Sequence, residues 1–329
     1  VSRIEPQEGG IILSVRNLSK SYQVKRGYVF SRRVGTIRAV DGVSLDVPAG
    51  STLGLVGESG CGKTTAGRIV ARLIPADGGE VLFRGRDVLG LSGKALRDLR
   101  REIQFIFQDP LSSLNPRMSV GEIVAEPMEI HGTVPRKSLK EAAATCLEEA
   151  GLTPGFLDRF PHQLSGGQRQ RVVIARALSL KPSLVVADEP VSALDVSVQA
   201  QVLNLFLHLR QKRGFSSLFI SHDLAVIRNV CRDVAVMYLG RIVESGPVDE
   251  VFGSPLHPYT RGLMESAPDP ARRHPGSTIP GDLPDPMDTP SGCPYHPRCP
   301  RAEDECRMIL PSLEEKKPGR SAACHFAAV

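Results

Sequence analysis

The eight residues Gly57-Glu58-Ser59-Gly60-Cys61-Gly62-Lys63-Thr64 constrain this chain more than any other stretch. They satisfy G-x-x-x-x-G-K-[ST] and follow an apolar run, Thr52-Leu53-Gly54-Leu55-Val56, that reads as a strand. After them, Thr64 to Leu73 has helical periodicity that stops before Pro75. Strand, glycine turn and helix are the context in which this spacing acts. The glycines let successive backbone N–H groups point inward at one anion, and the helix offers its free N–H groups and positive dipole end to the same anion. Lys63 is placed to meet β- and γ-phosphates, and the Thr64 hydroxyl to ligate Mg²⁺. With the adjacent Thr65, these residues form the candidate nucleotide-binding set. Cys61 fills a variable position and carries no role of its own.

A second acidic signal fits the first. Leu184-Val185-Val186-Ala187 is a continuous apolar run, as expected for a strand in the middle of a covered parallel sheet, and Asp188 and Glu189 terminate it. Ligands of such sheets bind outside the carboxyl ends of the strands, so both carboxylates are predicted to face the phosphate loop. Asp188 is the candidate Mg²⁺ ligand and Glu189 the candidate group that polarises an attacking water. An acidic turn capping the helix after Pro190 is the competing reading, and the phosphate loop tips the balance to chemistry.

The rest of the chain reads as one α/β core with a helical insertion and an appendix. Residues 12–47 suggest short strands and turns, with a basic, glycine-punctuated surface loop at 24–35. Further strands are predicted at 81–83, 103–107, 217–220, and at 234–238 and 241–243 around a Leu239-Gly240 turn. Helical patterns lie at 94–101, within 120–157 and at 196–213. Beyond Phe252 prolines crowd the sequence and periodicity fades, so a boundary is expected near residue 250. An ATPase domain over 1–250, with a helical subdomain at about 97–175, then precedes an extension over 251–329. The extension is expected to bury little apolar surface of its own.

The formal charge of +5 on 329 residues reads as a solvated surface of mixed sign. No run approaches the ~18 apolar residues of a membrane helix. The first residues lack the basic-then-apolar pattern of a signal peptide, so the chain is expected to stay in the cytoplasm.

Ser165, Gly166 and Gly167 precede a helical run from Gln168 to Leu180, which gathers a hydroxyl and free N–H groups at a helix N-terminus and makes a second candidate anion site. The string Leu164-Ser165-Gly166-Gly167-Gln168 resembles the signature of ABC-family ATPases. Other positions agree in order: Tyr22 resembles the aromatic that stacks on adenine, and Gln108 the loop glutamine that contacts Mg²⁺ and senses the transporter. Ser192-Ala193-Leu194-Asp195 resembles the loop along the dimer seam, and His222 the switch histidine near the γ-phosphate. The resemblance implies a P-loop NTPase (RecA-like) core with an antiparallel β subdomain, and ATP sandwiched between the phosphate loop of one chain and Ser165–Gln168 of another.

The resemblance narrows further at Phe107-Gln108-Asp109-Pro110-Leu111-Ser112-Ser113-Leu114-Asn115-Pro116, at Asp188 to Ser197, at His257-Pro258-Tyr259-Thr260 and in the cysteine tail. There the chain is similar to the ATPase subunits of oligopeptide/dipeptide (and nickel) importers. This implies a peripheral protein on the cytoplasmic face of the cell membrane, with a second and non-identical ATPase subunit, two transmembrane permeases and an extracytoplasmic solute-binding protein. It implies no nucleic acid. A nickel or other small-solute importer of the same family, a soluble ABC ATPase acting on nucleic acid or ribosomes, and a metal-sensing regulator are the alternatives. A single phosphate loop and a single signature weigh against the soluble type.

Four of the seven cysteines, Cys293, Cys299, Cys306 and Cys324, fall in the last 37 residues. A reducing cytoplasm argues against disulfides, and no C-x-x-C spacing is present. Four thiolates can hold Zn²⁺ or a [4Fe–4S] cluster, with His296 and His325 close enough in sequence to substitute. The family resemblance implies the iron–sulfur cluster.

Overall fold

The computed structural model describes residues 10–26, 32–266 and 281–327. Part of the basic 24–35 segment therefore lies outside the described residues. What is described of 12–47 differs from the expected short strands. Ile11–Arg26 and Arg32–Pro48 form one long antiparallel ribbon. Register shifts along the ribbon break its alternation, and this is why the pattern resembles a series of shorter pieces. The ribbon joins Gly78–Phe83 and Arg86–Asp87 in a four-stranded antiparallel sheet.

The second sheet has eight strands. Five parallel strands, Asp233–Tyr238, Thr52–Val56, Ser216–Ile220, Leu184–Asp188 and Ile103–Ile106, lie side by side in that order. Thr52–Val56, Leu184–Asp188 and Ser216–Ile220 are buried along their whole length, which explains their continuous apolar runs. Leu55 and Asp188 each pair with Ile220, so the loops that leave all three strands open at one level.

Lys63–Val70 covers one face of this sheet, where Ile69 and Val70 join the core beneath the antiparallel sheet. On the other side, Val120–Ile130, Leu139–Glu149 and Gly166–Leu178 share a core with Val185 and Ala187. Ser119 and Glu122 close a capping box at the start of Val120–Ile130. The strand Ile103–Ile106 belongs to the parallel sheet, so the helical layer starts beyond it and not at about residue 97.

The expectation that the extension buries little is overturned. Glu314–Lys317 and Arg320–Ala322 supply two of the eight strands of this sheet, joined to it through Arg241–Pro247. Tyr238, Tyr259 and Tyr295 form one buried aromatic cluster, with ring centroids 4.6 to 5.4 Å apart. Arg320 donates to Glu244 at 3.1 Å, both side chains nearly inaccessible to water. This burial comes from aromatic and paired polar residues distant in sequence, which leaves no local periodicity to read.

Candidate nucleotide-binding site

The phosphate loop leaves Val56 and enters the helix Lys63–Val70 through Gly62, whose φ is 108°. A Cβ on Gly62 would stand 1.9 Å from the Ala39 carbonyl oxygen, so no other residue fits. Lys63 is 4% exposed and folds back over the loop, donating to the carbonyls of Gly57 at 2.8 Å and Glu58 at 2.9 Å. The cation thus sits inside the cradle. Ser59 and Gly60 are exposed at its rim, Thr64 and Thr65 are half-buried, and Cys61 is buried beneath it.

Thr64 Oγ1 donates to Asp188 Oδ1 at 2.9 Å. Adjacent ligands of an octahedral Mg²⁺, each at about 2.1 Å, lie about 3.0 Å apart, so this oxygen pair fits the ion. Burial raises the Asp188 pKa, with the Thr64 hydrogen bond and Arg68 opposing. A cation at this point would relieve that cost.

Glu189 stands next in the chain with φ at 46°, a left-handed value that is strained for glutamate. Its carboxylate is held from two sides. Gln108 Nε2 donates to Oε2 at 2.9 Å, and His222 Nδ1 lies 3.0 Å from Oε1. Gln108 and His222 come from the loops after Ile103–Ile106 and Ser216–Ile220, the two strands that flank Leu184–Asp188. Three positions picked out separately in the sequence therefore meet in one cluster.

Tyr22 lies on the antiparallel ribbon, 42% exposed, with Lys20 Nζ 5.8 Å from its ring centre. Ser165 caps the helix Gly166–Leu178, accepting from the Gln168 N–H while Gln168 Oε1 accepts from the Ser165 N–H. Asp195 caps Val196–Arg213, accepting from the Val198 N–H at 3.0 Å. Among the described residues no hydrogen bond or ion pair joins Ser165–Gln168 or Asp195 to Gly57–Thr65.

The model of the ABC transporter family matches residues 40–192, and that of the oligopeptide/dipeptide transporter C-terminal region matches residues 243–306. A probable peptide ABC transporter ATP-binding protein of Sinorhizobium fredii, y4tS, is 50% identical over 96% of this chain and 90% of its own length. The chain belongs to the ABC transporter ATP-binding family. The oligopeptide transport ATP-binding protein AppF of Bacillus subtilis is 46% identical over 96% of this chain and 97% of its own. Among solved structures, the ATP-binding cassette MJ0796, captured as a post-hydrolysis dimer with ADP and Pi, aligns with a TM-score of 0.63 at 29% identity. That alignment covers 72% of this chain and 98% of the cassette. In this ABC chain, as in the family, ATP and Mg²⁺ are the expected ligands of the phosphate loop.

Two contacts to the ABC phosphate loop come from residues that the sequence did not connect with it. Tyr259 Oη accepts the Glu58 N–H at 2.9 Å, and Arg298 pairs with the Glu58 carboxylate. Tyr259 stands in the His257–Thr260 string of the family resemblance, but nothing local ties either residue to the loop, because both arrive from the extension. The four tail cysteines and His296 and His325 line a single small pocket. His296 Nδ1 is 3.0 Å from the Cys293 carbonyl oxygen and His325 Nε2 is 3.0 Å from that of Ile309.

Proposed function

We propose that this ABC subunit is the motor of a peptide importer, hydrolysing Mg-ATP to drive oligopeptides or dipeptides across the cytoplasmic membrane. The grip of Gln108 and His222 on Glu189, beside the Thr64–Asp188 pair, carries the hydrolytic half of this reading. Lys63 and the loop N–H groups bind the β- and γ-phosphates, Tyr22 stacks on the adenine, and Thr64, Asp188 and Gln108 serve the metal. Glu189 takes the proton of a water that attacks the γ-phosphorus. The bond to the β-phosphate oxygen breaks, leaving ADP and phosphate. Mg²⁺, held by Thr64 and Asp188, would offset the charge that develops on the phosphates.

The peptide half rests on the relatives' names and on the match over residues 243–306. Ser165–Gln168, with Asp195 on the adjoining loop, serve the ATP of a second, related subunit. A groove of about 220 Å³ lined by Leu73, Phe105, Phe107, Pro127, Ile130 and His131 offers a docking face for one of two permease subunits, which a solute-binding protein supplies from outside. No helix among the described residues is long and apolar enough to cross a membrane, in keeping with a peripheral subunit on the cytoplasmic face. Reconstitution with the co-purified membrane chains tests this: labelled peptide should enter vesicles only with ATP. ATP-driven uptake of nickel and not peptide selects the other importer, and hydrolysis coupled to neither overturns the reading.

We infer further that Cys293, Cys299, Cys306 and Cys324 hold a [4Fe–4S] cluster. Four sulfurs around one zinc ion, each at about 2.3 Å, come within about 3.8 Å of one another. Among the described residues no three His, Cys, Asp or Glu form a group able to hold a metal ion, whereas all four thiols line one pocket. Four thiolates, one per iron, are the ligand set that such a cluster takes. Anaerobically purified protein should contain iron and acid-labile sulfide in equal amounts, and Cys306→Ser should lose both while still binding ATP. Stoichiometric zinc without iron selects the single ion.

A further inference from the structure

Every polar group of Glu58, the second residue of the phosphate loop, is engaged. Its carbonyl accepts from Lys63 Nζ at 2.9 Å and its N–H donates to Tyr259 Oη at 2.9 Å. Its carboxylate takes both terminal nitrogens of Arg298, Nη1 at 2.8 Å and Nη2 at 3.0 Å. This is a fork-to-fork pair, the geometry in which arginine binds a carboxylate most specifically. The Arg298 side chain is 5% exposed and its Nη1 also lies 3.5 Å from Tyr238 Oη. Two of the three anchors of Glu58 thus come from beyond residue 250.

A carboxylate one residue after Gly57 is an awkward neighbour for a polyphosphate. Free to turn inward, it would repel the anion that the loop N–H groups and Lys63 attract. Arg298 neutralises it and fixes its direction, and the burial of the guanidinium, 5% exposed against 26% for the Glu58 side chain, limits screening by solvent. Arg298 is itself held by short chain geometry. The segment Cys293 to Cys299 is tied by Arg298 N–H to Tyr295 O and His296 N–H to Cys293 O, and the Tyr295 ring packs against Tyr238 and Tyr259.

We propose that Arg298 is a positioning residue of the nucleotide site: it holds Glu58 away from the phosphates, so that the C-terminal extension sets the affinity of its own chain's phosphate loop. The proposal rests on ATP binding at that loop, and the extension becomes a working part of the cassette. Because Arg298 directly precedes Cys299, a change at the cysteine pocket has a covalent route to Glu58.

The test is a double-mutant cycle on the full chain, reading the equilibrium Kd for ATP and for ADP and the KM and kcat of hydrolysis. Arg298→Gln should raise the Kd for ATP about tenfold, and that for ADP less, with the change appearing in KM and not in kcat. Made in a Glu58→Gln background, the same change should cost less than about twofold, because no stray carboxylate remains. Equal losses in both backgrounds would mean that Arg298 only stabilises the fold and would overturn the proposal, as would no loss in either. Should Arg298→Gln not yield folded protein, Arg298→Lys is measured in the same two backgrounds and judged by the same comparison. Failure of the unaltered chain to bind ATP would instead sink the nucleotide reading itself.

Discussion

Gln108 and Glu189 are hydrogen-bonded across two loops, Nε2 to Oε2 at 2.9 Å, which leaves Oε1 to His222. The carboxylate is therefore oriented before any nucleotide contact. Glu189→Gln should bind ATP normally and hydrolyse it about 10²–10⁴-fold more slowly, whereas Lys63→Ala should fail at the binding step. Nucleotide titration alongside single-turnover hydrolysis separates the two, and unimpaired turnover by the Gln variant would remove Glu189 from the chemistry.

Gly167 packs so closely on the helix Val196–Arg213 that a Cβ there would stand 2.4 Å from Val198 Cγ1. Gly167→Ala should push the Ser165 helix tip out of place and lower hydrolysis about 10–100-fold, with ATP binding to the isolated chain unchanged. Adding Val198→Ala opens the needed space and should restore most of the rate. A rate that stays low in the double variant would assign the glycine a role other than close packing.

The Arg320–Glu244 pair is almost fully enclosed, and Glu244 also accepts the N–H groups of Leu256 and His257. Arg320→Met leaves a buried carboxylate short of its cation and should cost about 3–5 kcal/mol. Proteolysis should then begin in the extension. A denaturation midpoint equal to that of the parent chain would contradict this.

Burial depresses the pKa of His257 to about 3, and its Nδ1 accepts the Tyr259 N–H. An unfolded histidine titrates near 6.5, so between about 6.5 and 3 the unfolded chain binds the extra proton. Its stabilising contribution is complete above that range and is lost as pH falls through it. The thermal midpoint should drop on acidification from about pH 7 to about pH 5, and less steeply in His257→Asn. Identical slopes would point to another group.

The motifs of the candidate nucleotide site are legible from local order alone. A phosphate loop is made by adjacent backbone groups, and Asp188 and Glu189 end a strand whose apolar run announces its burial, so each part is written in consecutive residues. What the order could not carry was convergence. That Gln108 and His222 close on the same carboxylate depends on which strands lie side by side, a matter of sheet topology. The extension shows the limit most clearly. Its prolines and lack of periodicity suggest a loosely attached tail. In the folded chain Tyr259, Tyr295, Arg298 and Arg320 anchor it on the core and on Glu58. Contacts between residues up to 240 positions apart leave no trace in neighbouring sequence, because the charge and ring pairs that stabilise them form only once the chain has closed.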